Sequence, residues 1–327
     1  MEQSSPVLEI SGLQVRYKLE DETVYALNGV DLSLKKGETL GIVGETGAGK
    51  TTLALSILRL LPEVVSEIHK GSIIFQDEEI LALPEARMRL LRGNKIAMIF
   101  QDPMTSLNPV QPVGNQIAEV LWLHTDMTKD EIDKNVDNIL NLVGIDASRK
   151  TNFPHQFSGG MKQRIVIAIA LACSPDLLIA DEPTTALDVT IQAQVLAMIE
   201  DIQQKLGTSL ILITHDLGIV AEMCDNVAII YAGEIVEYGS LEVIFNNSVK
   251  HHPYTSGLFG SIPSFNEKQR RLRPIAGLMP DPTELPTGCR FFQRCEESER
   301  ICEEVPPPAV IVGGHTIRCH MRHEPDY

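Results

Sequence analysis

Leu40-Gly41-Ile42-Val43 runs directly into Gly44-Glu45-Thr46-Gly47-Ala48-Gly49-Lys50-Thr51-Thr52, and a helical pattern follows through Leu61. An apolar run, a glycine-rich loop and a helical period in that order predict strand, loop, helix. From Gly44 to Thr51 the loop fits G-x-x-x-x-G-K-[ST]. Its glycines let successive backbone N–H groups curl around phosphate oxygens, and the helix brings its positive N-terminus to the same place. Lys50 then reaches the outer phosphates as a point charge, and Thr51 offers its hydroxyl to Mg²⁺. The bland alternative is a glycine-rich turn, which the strand before and the helix after disfavour.

Two further stretches carry chemistry. Leu177-Leu178-Ile179-Ala180-Asp181-Glu182 is an apolar strand ending in two carboxylates. Asp181 suits a Mg²⁺ shell and Glu182 suits a base that polarises an attacking water. Alone this is weak, since many strands end in acids at a turn. Ser158-Gly159-Gly160-Met161-Lys162-Gln163-Arg164 sets two glycines behind a residue able to cap a helix, which makes a second anion site. One nucleotide needs one phosphate loop, so a second such site points to binding across a dimer interface. A plain N-cap is the competing reading.

Working outward, 327 residues fit one large domain or two ordinary ones. A net charge of −16 argues against a protein that coats nucleic acid. The longest apolar stretch, Ile165 to Cys173, stops at Ser174-Pro175-Asp176, short of the roughly 18 residues that cross a bilayer. The start, Met1-Glu2-Gln3-Ser4-Ser5-Pro6, lacks the basic and apolar regions of an export signal, so a cytoplasmic location is expected.

Strands are expected over Val7–Tyr17 and Leu27–Leu34, and again at Leu177–Ala180 and Leu210–Ile213. Helices are expected over Ile165–Ala172 and over Thr190–Leu206, the second closed by Gly207, and a hairpin over Val227–Tyr238 around Ala232-Gly233. Between them, from about Asp102, lies a helical insertion. There Thr128 and Glu131 have capping-box spacing ahead of Ile132, Val136, Ile139, Leu140 and Val143 on one face. The alternation of strands and helices predicts an α/β core with parallel crossovers. From about His251 the chain turns proline-rich and irregular, a tail of about 75 residues that needs something other than a conventional core to hold it.

Phe157 and Ser158 to Gln163 resemble the signature of ABC-transporter ATPases. The order of the other elements agrees: phosphate loop, Gln101, signature, Asp181-Glu182, Thr185-Ala186-Leu187-Asp188, and His215 after a strand. The resemblance covers about residues 7 to 245. It implies a P-loop α/β cassette with a parallel core sheet, an antiparallel β subdomain and a helical subdomain over about 102–170. It also implies residue roles. Gln101 in Phe100-Gln101-Asp102-Pro103 contacts Mg²⁺ or water, and His215 in Thr214-His215-Asp216 contacts the γ-phosphate. Asp188 belongs to the loop crossing the dimer interface. Tyr17 stacks on adenine, with Tyr25 as rival and core packing as the alternative for both. Two cassettes would sandwich two ATP molecules, each held by residues 44–52 of one chain and Ser158, Gly159 and Gly160 of the other.

His252-Pro253-Tyr254-Thr255 with Leu258, then Pro286-Thr287-Gly288-Cys289-Arg290-Phe291 and Arg294-Cys295, resemble the C-terminal extension of dipeptide and oligopeptide importer ATPases, as does Met104-Thr105-Ser106-Leu107-Asn108-Pro109. The layout around Leu272-Arg273-Pro274-Ile275 is closer to the D-type than to the F-type subunit of dipeptide permeases. The resemblance divides the chain into a cassette, 1–250, and an extension, 251–327. It implies a second, different cassette as partner, two membrane permease subunits, an extracytoplasmic peptide-binding protein, a place on the cytoplasmic face of the membrane, and no nucleic acid. A nickel or other solute importer, or a soluble ABC ATPase acting on nucleic acid or ribosomes, is the alternative.

Cys289, Cys295, Cys302 and Cys319 crowd the extension, spaced C-x5-C-x6-C-x16-C, whereas Cys173 and Cys224 read as core residues. In a cytosolic chain four clustered thiols read as metal ligands before disulfides. The spacing matches neither a ferredoxin run nor a C-x2-C zinc pair. The resemblance implies a [4Fe–4S] cluster. A tetrahedral zinc, with His315 or His320 able to replace a thiolate, is the alternative.

Overall fold

The computed structural model describes residues 5–101, 106–185, 188–246, 248–261 and 275–322. Asp102 to Thr105, Ala186, Leu187 and Leu272 to Pro274, on which parts of the sequence reading fall, lie outside the described residues. In chain order the strands are β1 (Leu8–Lys18), β2 (Thr23–Leu34), β3 (Thr39–Val43), β4 (Ser66–Phe75), β5 (Glu78–Glu79) and β6 (Ile96–Ile99). They continue with β7 (Leu177–Asp181), β8 (Ser209–Thr214), β9 (Asn226–Tyr231), β10 (Glu234–Ser240), β11 (Ala309–Val312) and β12 (His315–Arg318). The chain forms two compact units. One takes in residues 1–8, 33–39 and 74–213, the other 9–32, 40–73 and 214–327.

In the first unit β6, β7 and β8 pair in parallel, Ile96 opposite Leu177 and Leu177 opposite Ser209. Every residue of β7 and β8 is buried, which is why their sequences read as unbroken apolar runs instead of alternating. The expected insertion is helical, Val113–His124 followed by Lys129–Leu142. Thr128 and Glu131 form the capping box, and Ile132, Val136, Ile139 and Leu140 are buried on one face. The signature helix starts at Gly159, six residues ahead of the apolar run that announced it, and ends at Leu171. Helix Val189–Leu206 ends as expected at Gly207, in the left-handed region at φ +66°.

In the second unit most of β1, β2 and β4 forms a sheet in the order β2-β1-β4. β3 pairs in parallel with β9, Leu40 opposite Asn226, and the helix after the phosphate loop spans Lys50–Ile57, shorter than the sequence pattern. The hairpin β9–β10 turns at Ala232 and Gly233, both at positive φ. The tail is less irregular than its prolines suggest. β11 and β12 form a second hairpin around Gly313-Gly314, and β12 pairs with β10, extending that sheet.

That pairing encloses an acid. A bulge between Ile235 and Glu237 breaks the inward–outward alternation of β10 and leaves Ile235, Val236 and Glu237 all buried. Glu237 is 0% exposed and survives there because donors surround it. His251 Nδ1 and His315 Nε2 reach its Oε1 at 2.7 and 2.8 Å, and the His252 N–H donates to Oε2 at 2.9 Å. His251 Nε2 meets a second acceptor, the Asn246 carbonyl, at 3.0 Å, so both ring nitrogens of His251 must carry hydrogens. Burial alone would lower the pKa of His251, but the hydrogen bond and charge of Glu237 outweigh it and raise the pKa. Burial alone would raise Glu237, and the hydrogen bonds from His251 and His315 instead bring it down to about 2. His252, one residue on, is the opposite case. Its Nδ1 accepts the Tyr254 N–H at 3.1 Å, and burial pushes its pKa down to about 4.

The sign of the pH dependence follows. His251 contributes fully below its ordinary value of 6.5 and loses its contribution as pH rises through its raised folded value. Glu237 contributes fully above 4.5 and loses its contribution as pH falls toward about 2. The urea midpoint of the wild type is therefore expected to fall as pH rises above 6.5, more steeply than that of His251→Gln, which is expected to be less stable at pH 6.5 by roughly 3–5 kcal/mol. Parallel pH profiles for the two proteins would refute the charged pair.

Candidate active site

The phosphate loop is positioned by β3, which is buried along its whole length, and by the turn of the β9–β10 hairpin. The Gly233 N–H donates to the Ala48 carbonyl at 2.9 Å, stitching that turn to the loop. Gly47 and Gly49 sit at φ +85° and +106°. A Cβ on Gly49 would lie 2.7 Å from the Ala26 carbonyl oxygen and 2.8 Å from Leu27 Cδ2, so glycine is required twice over, by conformation and by space. Lys50 is buried and folds back over its own loop, Nζ donating to the Gly44 carbonyl at 2.7 Å and the Glu45 carbonyl at 3.0 Å. Thr46 and Thr51 face outward. Tyr17, half-buried on β1, has its hydroxyl 3.2 Å from Thr52 Oγ1, which brings it to the start of the helix. Tyr25 instead packs under the Arg16 guanidinium, 5.1 Å from the ring centre.

In the other unit the residues after β7 form a second constellation. Asp181 is buried and ends the strand; Glu182 follows at φ +47°, a left-handed position rare outside glycine. The Glu182 N–H donates to the Ile213 carbonyl at 2.9 Å, which fixes the turn. The Glu182 carboxylate accepts from Gln101 Nε2 at 3.0 Å and from Thr185 Oγ1 at 2.9 Å. Gln163, buried in the signature helix, donates to the Pro183 carbonyl at 2.5 Å and ties that helix to the turn. The sequence reading placed Gln163 in a motif but gave it no role; flanked by Lys162 and Arg164, it carries no local mark of burial.

Ser158 stands at the N-cap of its helix with no side-chain cap bond, contrary to the plain-cap reading, and Ser158 and Gly159 are exposed. Gly160 differs from Gly159. A Cβ there would meet Ile191 Cγ2 at 2.6 Å, whereas nothing lies within 4 Å of one on Gly159. Asp188 caps helix Val189–Leu206 by accepting the Ile191 N–H at 3.0 Å. His215 is exposed directly ahead of Asp216, which caps the following short helix through the Gly218 and Ile219 N–H groups.

The four extension cysteines converge. The Cys289 N–H donates to the Cys302 carbonyl at 2.7 Å, and Gly288 is needed because the Cys302 and Glu303 backbone fills the space of a Cβ. Each of the four thiols lies within electrostatic reach of the other three. Burial, reinforced by the other thiols, pushes Cys289 up to about 12, and Cys295 and Cys319 are raised for the same first reason. The proposed histidine substitutes are committed elsewhere. His315 binds Glu237, and His320 Nε2 faces the Val305 carbonyl at 2.8 Å. Cys224 packs in the core beside Gly41 and is raised to about 12 by burial, while Cys173 is only half-buried, past the end of its helix.

A buried strand, a glycine loop with Lys50, and a second acid-bearing strand define an α/β P-loop nucleotide hydrolase. The ABC transporter family model matches residues 27–185, and the model for the oligopeptide/dipeptide transporter C-terminal region matches residues 236–302. The dipeptide transport ATP-binding protein DppD of Bacillus subtilis is 47% identical over 97% of this chain and 95% of its own length. The oligopeptide transport ATP-binding protein OppD of Salmonella typhimurium is 44% identical over 96% and 93%. Among solved structures, the ATP-binding cassette MJ0796, dimeric in a post-hydrolysis state with ADP and phosphate, superposes with a TM-score of 0.64 at 25% identity. It covers 72% of this chain and 98% of that one. The chain belongs to the ABC transporter ATP-binding proteins, in their oligopeptide/dipeptide transporter branch.

The contrast between the two signature glycines is testable by urea denaturation. Gly160→Ala is expected to lose roughly 1–3 kcal/mol because Ile191 must move, whereas Gly159→Ala is expected to be neutral or slightly stabilising, since alanine favours the helix. Equal stability of the two variants would contradict the packing described.

Proposed function

We propose that this chain is the ATP-binding and ATP-hydrolysing subunit of a membrane ABC transporter that imports di- or oligopeptides, seated peripherally on the cytoplasmic face. Its partners are a second, different cassette, two permease subunits and an extracytoplasmic peptide-binding protein. Residues 1–250 act as the cassette and 251–327 as the extension. The relatives' names support the peptide substrate, and no helix among the described residues is long and apolar enough to cross a membrane.

The observation that carries the hydrolytic reading is the Glu182 carboxylate, fixed on a left-handed turn and oriented by Gln101 and Thr185. A base held in that way needs no reorganisation before it accepts a proton from water. Residues 44–52 cradle the phosphates through backbone N–H groups, Lys50 leaving its own carbonyls for the outer phosphates and Tyr17 stacking on adenine. Thr51, Gln101 and Asp181 present hard oxygen donors suited to Mg²⁺, which would neutralise phosphate charge. His215 contacts the γ-phosphate. Ser158, Gly159 and Gly160, with Asp188 at the interface, complete the partner cassette's site.

For the four cysteines we propose a [4Fe–4S] cluster held by Cys289, Cys295, Cys302 and Cys319. Among the described residues the only group of three or more His, Cys, Asp or Glu whose ligand atoms all lie within 4.8 Å of one another is Glu237, His251 and His315. The thiols are therefore spread wider than the about 3.8 Å edge of a tetrahedron with Zn–S bonds of about 2.3 Å. A larger inorganic core suits that spread and would hold Cys289, Cys295 and Cys319 as thiolates, against the burial that raises their pKa.

Two measurements test these readings. Glu182→Gln is expected to bind ATP and to hydrolyse it at least about a hundredfold more slowly; normal turnover would remove Glu182 as the base. Anaerobically purified protein is expected to carry about four iron and four acid-labile sulfide per chain, lost in Cys289→Ser. One zinc per chain would replace the cluster with a structural zinc site.

A further inference from the structure

The phosphate loop contains an acid. Glu45 lies between Gly44 and Thr46, in a loop whose backbone is read above as the receptor of a polyanion. A free carboxylate there would repel the ligand. Arg294, from the C-terminal extension, answers it. Its Nη1 donates to Glu45 Oε2 at 2.9 Å and its Nη2 to Oε1 at 3.0 Å, a two-pronged pair. The guanidinium is held from other directions as well. Nε donates to the Ala276 carbonyl at 2.9 Å, Nη1 also reaches the Tyr231 hydroxyl at 3.3 Å, and the Tyr231 and Phe291 rings lie 5.7 and 5.8 Å from Cζ. The Arg294 side chain is 5% exposed against 32% for Glu45, so the arginine is fixed and the acid comes to it. The backbone is tied too, for the Glu45 N–H donates to the Tyr254 hydroxyl at 2.9 Å. Arg294 ends the short turn Phe292–Arg294, which lies between Cys289 and Cys295 in the C-terminal extension.

We infer that Arg294 is a positioning residue for nucleotide binding: it neutralises Glu45 and turns its carboxylate away from the phosphates, which makes the C-terminal extension part of the nucleotide site. The inference rests on the reading of residues 44–52 as the ATP phosphate loop. Its alternative is that the pair only staples the tail to the cassette.

The two are separated by MgADP titration calorimetry on the full chain, which reads binding without turnover. At an effective dielectric of about 20, a bare carboxylate roughly 10 Å from a phosphate charge weakens binding by about tenfold. Arg294→Gln is therefore expected to raise Kd about tenfold, and Arg294→Lys, which keeps the charge without the fork, about threefold. Glu45→Gln with Arg294→Gln is expected to bind at least about threefold more tightly than Arg294→Gln alone, since removing the acid removes the need for its partner. A staple would give no such recovery, the double variant binding no better than Arg294→Gln. That result, or wild-type affinity in Arg294→Gln, overturns the inference. Should Arg294→Gln fail to fold, Arg294→Lys and the double variant decide it, wild-type affinity in Arg294→Lys or no recovery in the double overturning it. A wild-type chain that binds no MgADP overturns instead the reading of the loop.

Discussion

A loop that receives phosphate through its backbone must point several N–H groups into one cup, and no ordinary residue can hold the conformations this takes. The surroundings of residues 44–52 follow from that demand. Gly47 and Gly49 are at positive φ, and the space a side chain on Gly49 would need is taken by the Ala26 carbonyl and Leu27 from β2. The β9–β10 turn is equally crowded. Gly233 is at φ +79°, a Cβ on it would touch the Ala26 carbonyl, and its N–H bonds to Ala48. Three separate segments thus meet, two of them at a glycine whose side-chain space the third, β2, already fills. The fully buried β3 is the rigid post on which this is built, and its parallel pairing with β9 brings the turn to the loop.

The same need to over-determine a strained position governs the second constellation. Glu182 at φ +47° is held by a backbone bond to Ile213 and side-chain bonds from Gln101 and Thr185, and Pro183 beside it is gripped by Gln163. A non-glycine residue in that region costs on the order of 1–3 kcal/mol, so the contacts must outweigh it. The result is a carboxylate whose direction is set by its backbone and by two side-chain donors.

What the sequence made legible was local. The loop, the capping box of Thr128 and Glu131, the closure at Gly207 and the hairpin at Ala232-Gly233 were each specified by residues within a few positions of one another. Contacts across long separations were not legible. Glu45 and Arg294 are far apart in the chain and of types common on any surface, so neither carries a mark of the other. Glu237 falls in a stretch read only as a hairpin, and neither the bulge at Val236 nor the histidines that enclose the acid are signalled by neighbouring residues. The β11–β12 hairpin could have been read. Val310-Ile311-Val312, Gly313-Gly314 and His315-Thr316-Ile317 have the form of two strands around a two-glycine turn, and the prolines nearby masked it.

The extension shows how a proline-rich segment becomes ordered without a core of its own. Few of its residues bury large apolar area, but several of the buried ones are set against residues of the strands before it. Tyr254 and Phe291 pack on Tyr231 at centroid distances of 4.6 and 5.2 Å, Arg290 bonds the Ala232 carbonyl and Glu234, and His315 completes the shell of Glu237. These contacts fall along β9, the turn and β10, the same hairpin that supports the phosphate loop. A segment stabilised in this way loses its order if the hairpin shifts, and the hairpin loses part of its packing if the segment leaves. Order in the tail and geometry at the loop are therefore two readings of one set of contacts, and selection on either constrains both.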